Sequence, residues 1–436
     1  MKKTLAMLCL VILAFSGYAS PIVAQNTSPA DANADRSSDL RARAEQVIGL
    51  VNGELEPEEI FTEGFLRAVS PEQFDAISRQ LTAQFGAAVL VEDLDPPTGT
   101  RAALSVRMER AIASGFIGID PTSENRINEL LFQSFEPTND SLAKIETDLE
   151  RLSGETSWSF GPLHGRAPAL SSSRSDKQMP IGSTFKLYVL ATLAREVAEG
   201  KRTWSDVVNI GERRSFPSGM MQDWPEAAPV TLHSLASVMI SISDNTATDV
   251  LIDELGRDAV MGTMLESGHS NPALNDPFLK TREMFLLKSG PRDRLDTYLR
   301  GNADLRRRML DGIEDLPISA NQVGAAFAGG PIALDVEWFA SADDIIRLMR
   351  YMQSTADPEA LTIMAINPSM SQELRKKWSY AGYKGGSEPG VLNLSWLLRD
   401  AAGKDYALIL SWRDDETSFD PASLELIAQR FLSLDR

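Results

Sequence analysis

Pro180-Ile181-Gly182-Ser183-Thr184-Phe185-Lys186 is followed by Met239-Ile240-Ser241-Ile242-Ser243-Asp244-Asn245-Thr246-Ala247-Thr248-Asp249, whose Ser243 stands 60 residues after Ser183. The first stretch opens a long helical run at Ser183, and positions i and i+3 of a helix share a face. Lys186 can therefore set its amine beside the Ser183 hydroxyl. Serine is a weak nucleophile at its own pKa and needs a neighbouring base. A lysine can be that base only when neutral, which requires burial or a nearby cation to bring it down from about 10.4. The start of the helix also offers backbone N–H groups that favour a developing oxyanion. The pattern alone is common: Ser141-Leu142-Ala143-Lys144 has it too, and reads as an ordinary helix surface. Ser183 is set apart by its company. Ser243-Asp244-Asn245 adds a second hydroxyl and an amide. Further on, Lys384-Gly385-Gly386-Ser387 ends a strand candidate in which Tyr380, Gly382 and Lys384 share one face.

These three stretches resemble the signature motifs of penicillin-recognising serine enzymes, S-x-x-K, S-D-N and K-T-G. The interval of 60 and the words around S-D-N resemble the class A β-lactamases within that group, over roughly residues 139–436. The resemblance implies an α+β fold of β-lactamase/transpeptidase type, an antiparallel sheet flanked by helices plus a helical region. It implies an acyl-enzyme on Ser183, with Lys186 as base or proton shuttle and Ser243 relaying a proton to the leaving group. Asn245 would hold the substrate amide, and Asp244 would anchor its loop. Lys384 would attract a substrate carboxylate and help to keep Lys186 neutral. Gly386 and Ser387 would line the substrate, with the N–H groups of Ser183 and Ser387 as the oxyanion hole.

Two departures qualify this. Gly385 stands where the pattern has Thr or Ser, removing a hydroxyl that would help bind a carboxylate; Ser387 is the substitute on offer. The 96 residues from Asn245 to Ser341 are more than class A enzymes use, and no Glu-x-x-Leu-Asn stretch among them marks a deacylation base. Glu283, 100 residues past Ser183, is the candidate by interval, with Asp335 and Glu337 behind it. Its setting, Leu279-Lys280-Thr281-Arg282-Glu283, reads better as the first turn of a helix, where an acidic residue is at home. Trp224 is a candidate cleft wall and Arg413 a candidate carboxylate partner. Each has a plainer reading, as a packed loop residue and as surface charge.

The rest of the chain narrows the class. Of 436 residues 43% are hydrophobic and the net charge is −18, which argues against nucleic acid or an anionic membrane surface as partner. The single Cys excludes a disulfide framework or thiolate metal site, and the three His lack metal-ligand spacing. A small-molecule substrate and no cofactor are expected. Lys2 and Lys3, the apolar run Leu5–Phe15 and the small Ala24 predict a signal peptide over 1–24, hence export to the periplasm or beyond. Eleven apolar residues are too few to span a bilayer. Residues 25–38 read as a linker. Residues 39–137 form a small α+β domain, with helices at Leu40–Val51 and from Ser70-Pro71, then strands at Leu104–Met108 and Phe116–Ile119. This order resembles small cone-shaped domains of the nuclear-transport-factor type. Residues 138–436 form the hydrolase-like domain, with strand candidates at both ends and helices between. Three functions suit this pattern: hydrolysis of β-lactams, a D,D-peptidase or esterase on the same machinery, and a catalytically idle holder of cell-wall fragments.

Overall fold

The computed structural model describes residues 29–95, 100–138, 140–165 and 168–434. The expected signal peptide and the first residues of the expected linker lie outside them. The described chain folds as two compact units. One holds the residues up to Ile145 together with Ser371–Leu374 and Glu425 onward; the other holds Glu146–Met370 and Arg375–Leu424.

The first unit begins with helix α1 (Pro29–Val51). The part of the expected linker from Pro29 on is therefore helical: its Ala, Asp and Arg residues lack an apolar stripe, but none breaks a helix, and Pro29 is tolerated at the start. Helix α2 (Pro71–Phe85) opens on the predicted capping box, Ser70 Oγ accepting from Gln73 N and Ser70 N donating to Gln73 Oε1. Four strands follow as an antiparallel sheet in chain order: β1 (Ala88–Leu94), β2 (Arg101–Met108), β3 (Ala111–Asp120) and β4 (Arg126–Pro137). Their inner faces and the helices bury Phe61, Phe74, Phe85, Ile117, Ile127 and Leu130.

The second unit is built on one five-stranded antiparallel sheet. The early strands β5 (Glu155–Pro162) and β6 (Ser171–Ser173) pair with the late β7 (Tyr380–Glu388), β8 (Val391–Arg399) and β9 (Asp405–Arg413), in the order β7-β8-β9-β5-β6. The two ends of the domain thus close one sheet, as the pattern of strand candidates implied, and β7 is left at its edge. The central strands β8 and β9 are almost wholly buried, so helices must cover the sheet. Helix α3 (Lys186–Ala198) is buried from Lys186 to Ala194, and α4 (Asn245–Leu255) packs against it. Between α4 and Ser341 lie a helix over Arg257–Glu266 and then α5 (Thr281–Lys288), α6 (Arg292–Arg300), α7 (Ala303–Ile313) and α8 (Ala320–Phe327), and these occupy most of the unusually long interval. Among the described residues no helix is long and apolar enough to cross a membrane.

Candidate active site

The chain enters α3 through a single 3-10 turn, Gly182–Phe185, in which Lys186 N donates back to Ser183 O and Thr184 O. Phe185 faces the core and stacks on Trp338 at 3.7 Å. Thr184 Oγ1 donates to Asn393 Oδ1 at 2.8 Å, and Asn393 is tied to Ser395 and Ser411 inside the sheet. Ser183 is left half-buried in a run that is otherwise buried. This polar tie from the turn to β8 and the Trp338 stack were missed in the sequence. Their partners are 209 and 153 residues away, and no local spacing signals them.

Two glycines let β7 lie against this turn. A Cβ on Gly386 would stand 2.2 Å from Ile181 O and 2.3 Å from Ser183 N. One on Gly182, whose φ is +47°, would stand 2.9 Å from Ser387 N. No side chain fits at either place, so the strand backbone approaches the nucleophile turn directly and the N–H groups of Ser183 and Ser387 come side by side. Such an N–H pair suits a developing oxyanion. Gly385 has a different reason to be glycine: its Cβ would fall 2.1 Å from the Tyr383 hydroxyl, which occupies the room a Thr would need.

The second motif arrives with its backbone held in an unusual conformation. Ser243 has φ +59°, a region that non-glycine residues enter at a cost and mostly where the surroundings force it. Asp244 supplies that force. Its carboxylate accepts from Met220 N, Met221 N and Ala247 N, at 2.7–2.8 Å, capping α4 and clamping the preceding loop. Asp244 thus anchors the loop by hydrogen bonds.

Lys186, fully buried, donates to Ser243 O at 2.7 Å and to Asn245 Oδ1 at 2.7 Å, and lies 3.0 Å from Ser243 Oγ. Burial, and then the nearby Lys384, hold its pKa well below that of an ordinary lysine, against the pull of Asp244 and Asp249. A neutral amine has two hydrogens and one lone pair. The two acceptors that carry no hydrogen take both hydrogens, which leaves the lone pair for a hydroxyl proton. Lys384 Nζ lies 3.1 Å from the same Ser243 Oγ and donates to Gly385 O; burial lowers its pKa to about 7. Ser243 therefore sits between two amines whose charged forms burial disfavours.

The remaining candidates lie apart from this cluster. Glu283 accepts from Lys280 N at 2.8 Å and from Arg257 at 2.7 and 3.3 Å, so its carboxylate completes a helix cap and an ion pair. Asp335 pairs with Arg413, which is also held by Asp415, so that guanidinium is already engaged by two carboxylates. Glu337 faces Lys288 and Glu388. Trp224 is 37% exposed at the end of the loop that Asp244 clamps. A further residue, Asp249, lies one turn after Asn245 on α4 and was passed over in the sequence, although its i+4 spacing from Asn245 was a usable signal. It accepts from Ser215 Oγ, Thr281 N and Arg282 N, joining α4, α5 and the loop at Ser215, and burial raises its pKa to about 6. Thr281 in turn donates its hydroxyl to Asn245 O. Among the described residues no three His, Cys, Asp or Glu gather as a metal site.

The sequence model of the beta-lactamase enzyme family matches residues 142–429. Among solved structures, a beta-lactamase from Sphaerobacter thermophilus is 19% identical, with 67% of this chain and 94% of that one covered and a TM-score of 0.46. The structure of PBP-A is similar at 18% identity, covering 67% and 94%, with a TM-score of 0.45. A beta-lactamase from Chitinophaga pinensis shares 15%, covering 66% and 96%, at a TM-score of 0.45. No curated protein sequence matches the chain.

Proposed function

The chain belongs to the beta-lactamase enzyme family, and we propose that it is an exported serine hydrolase that forms an acyl-enzyme on Ser183, with β-lactams as the first substrate class. The observation that carries this is the buried Lys186, whose two hydrogens are taken by Ser243 O and Asn245 Oδ1 while its lone pair faces the Ser243 hydroxyl. Ser183 Oγ attacks the carbonyl carbon as its proton passes to Lys186. The oxygen of the tetrahedral intermediate is held by Ser183 N–H and Ser387 N–H. Ser243 hands a proton to the leaving nitrogen, taking one from Lys186 in return, and the C–N bond breaks to leave an ester on Ser183. Lys384, charged on about half the molecules at pH 7, attracts a substrate carboxylate.

The second half-reaction is slower. Asp244 and Asp249 are the carboxylates that bear on Lys186, and backbone N–H groups occupy both. With neither of these carboxylates free to aim at the ester, water is poorly activated and the covalent adduct accumulates. The same balance suits a D,D-peptidase or an esterase, which would release a peptide or alcohol from the same intermediate. Intact-mass analysis after exposure to a panel of penicillins and cephalosporins tests the reading. A mass increase equal to the intact penicillin should appear on wild type and be absent from Ser183→Ala, with turnover of a reporter cephalosporin lowered at least ~10³-fold. Consumption of the reporter at an equal rate by Ser183→Ala would remove Ser183 from the mechanism.

A further inference from the structure

Strand β7 does not end freely after the oxyanion N–H of Ser387. The next residue, Glu388, turns its carboxyl inward, where its side chain is 6% exposed, and meets the ammonium of Lys288, the last residue of α5. Lys288 is wholly buried and lies 3.6 Å from Glu337 Oε1, itself 1% exposed. Glu337 precedes Trp338, the residue stacked on Phe185 under the nucleophile turn, and Trp338 O accepts from Ile181 N. The cluster therefore joins both walls of the candidate oxyanion hole. The groups that face one another here are Lys288 from α5, Glu337 from the segment before Trp338, and Glu388 from β7; the ring of Phe327 on α8 closes the side, 5.9 Å from Lys288 Nζ.

The charge count does not balance. Two carboxylates and one ammonium leave a net negative charge out of water, which costs several kcal/mol. The hydrogen bonds are incomplete in the same place. Glu337 Oε1 and Glu388 Oε2 are buried, and among the described residues neither has a hydrogen-bond partner within 3.5 Å, Lys288 Nζ standing 3.6 Å from the first. Each is an acceptor that needs a proton, and one proton between two carboxyls satisfies both.

We infer that Glu337 and Glu388 share a single proton and, together with Lys288, act as positioning residues that fix the end of β7 and with it the Ser387 N–H. The catalytic part of this inference rests on the acyl-enzyme reading; the shared proton does not. Burial raises both carboxyls, Glu388 to about 8. A raised carboxyl holds its proton in the fold and loses it in the unfolded chain. Its contribution to stability is thus full below the ordinary carboxyl pKa and shrinks as pH climbs to about 8. Above that value two buried carboxylates repel across one ammonium, and the strand end loosens.

Infrared spectra of the intact wild-type protein at pH 7 should show the C=O stretch of a buried protonated carboxyl, fading through about pH 8. Either Glu337→Gln or Glu388→Gln should abolish it, because a Gln amide donates to the remaining carboxylate and Lys288 then pairs with that charge alone. No such band in wild type, or a band that survives in one of the two variants, overturns the shared proton. The positioning role is read from the rate of adduct formation with a penicillin between pH 6 and 9.5. Glu388→Ala should acylate about tenfold more slowly, Glu388→Gln should recover most of that rate, and the limb near pH 8 should be missing from both variants. Equal rates for Gln and Ala, or a limb near pH 8 that survives in either, overturn the role. If wild type forms no adduct with any penicillin, the acyl-enzyme reading fails while the infrared result still decides the proton.

Discussion

Lys384→Met should make the protein more stable at neutral pH while disabling the proposed chemistry. Burial takes the Lys384 pKa from 10.5 to about 7, so the unfolded chain binds its proton far more tightly than the fold does. Integrated over that shift, the lysine costs the fold about 4 kcal/mol at pH 7 and about 2 kcal/mol at pH 9. The sign follows from a depressed folded pKa: the cost is absent above the unfolded value and grows as pH falls toward the folded one. Methionine fills the stem's volume but gives up the contacts to Ser243 Oγ and Gly385 O, worth about 1 kcal/mol each. The net gain is then about 2 kcal/mol at pH 7 and near zero at about pH 9. At roughly 2–4 °C per kcal/mol, Tm should rise by about 4–8 °C at pH 7, and urea titrations of both proteins at each pH should show the gap closing. Comparing the two proteins cancels the titrating groups that Lys384 does not touch, Glu388 among them, while Lys186 loses a cationic neighbour and shifts the gap in the same direction. A variant less stable than wild type at pH 7, or a gap that does not change with pH, would refute the argument that burial of this amine is costly.

Three further outcomes test other parts of the site. Lys384→Ala should slow acylation by carboxylate-bearing substrates more than by neutral esters, measured as kcat/KM for matched pairs; an equal loss would assign the lysine to proton chemistry alone. Glu283→Gln should cost about 2–3 kcal/mol in urea denaturation, because it leaves Arg257 facing a neutral partner in a largely buried pair, while the burst and steady-state rates stay as in wild type. Gly219→Ala should cost more than 2 kcal/mol and depress acylation, since φ there is +112° and the new Cβ would stand 2.3 Å from Asp244 Oδ2; an active, equally stable Gly219→Ala would mean that the Asp244 clamp does not hold the loop.

What the sequence reveals of this fold divides by range. The motif at Ser183 was legible because helical spacing is local, and the chemistry of a serine beside a buried lysine needs no distant partner to be recognised. The sheet was legible at both ends, where β8 and β9 carry dense apolar runs and β5 and β7 carry spaced aromatic residues. In the first unit, β2 and β3 showed their alternation, but β1 and β4 did not. The pairing of β1 is interrupted between Ala88 and Leu90 and between Val91 and Asp93, so Val89 and Leu90 point outward and the alternation is lost. The capping role of Glu283 could be read from its place in a first turn, whereas its ion pair with Arg257, 26 residues earlier, could not. The Thr184–Asn393 tie and the Glu337–Lys288–Glu388 cluster rest wholly on tertiary contacts between residues that each look ordinary in the chain.

One physical effect runs through both parts of the site and gives them opposite signs. Burial disfavours whichever form is charged, so it lowers Lys186 and Lys384 and raises Glu337 and Glu388. Lys384 and Glu388 are four residues apart on one strand, about 13 Å along its axis, too far for a direct ion pair that would restore both charges. Each therefore drifts toward its neutral form near pH 7. The nucleophile turn is then flanked by a strand bearing a half-charged amine at one point and a proton-sharing acid pair at the other. Fixed full charges there would bind water and counter-ions tightly and would have to be stripped at each encounter. A half-charged Lys384 can instead complete its protonation when a carboxylate arrives, because the incoming negative charge raises the amine's pKa. On this reasoning binding of a carboxylate-bearing substrate should take up about half a proton at pH 7, falling toward none at pH 5, where Lys384 is already charged. Calorimetric titration of Ser183→Ala with a penicillin in buffers of different ionisation enthalpy measures that uptake, and a binding enthalpy independent of buffer at pH 7 would show that Lys384 does not change its charge on binding.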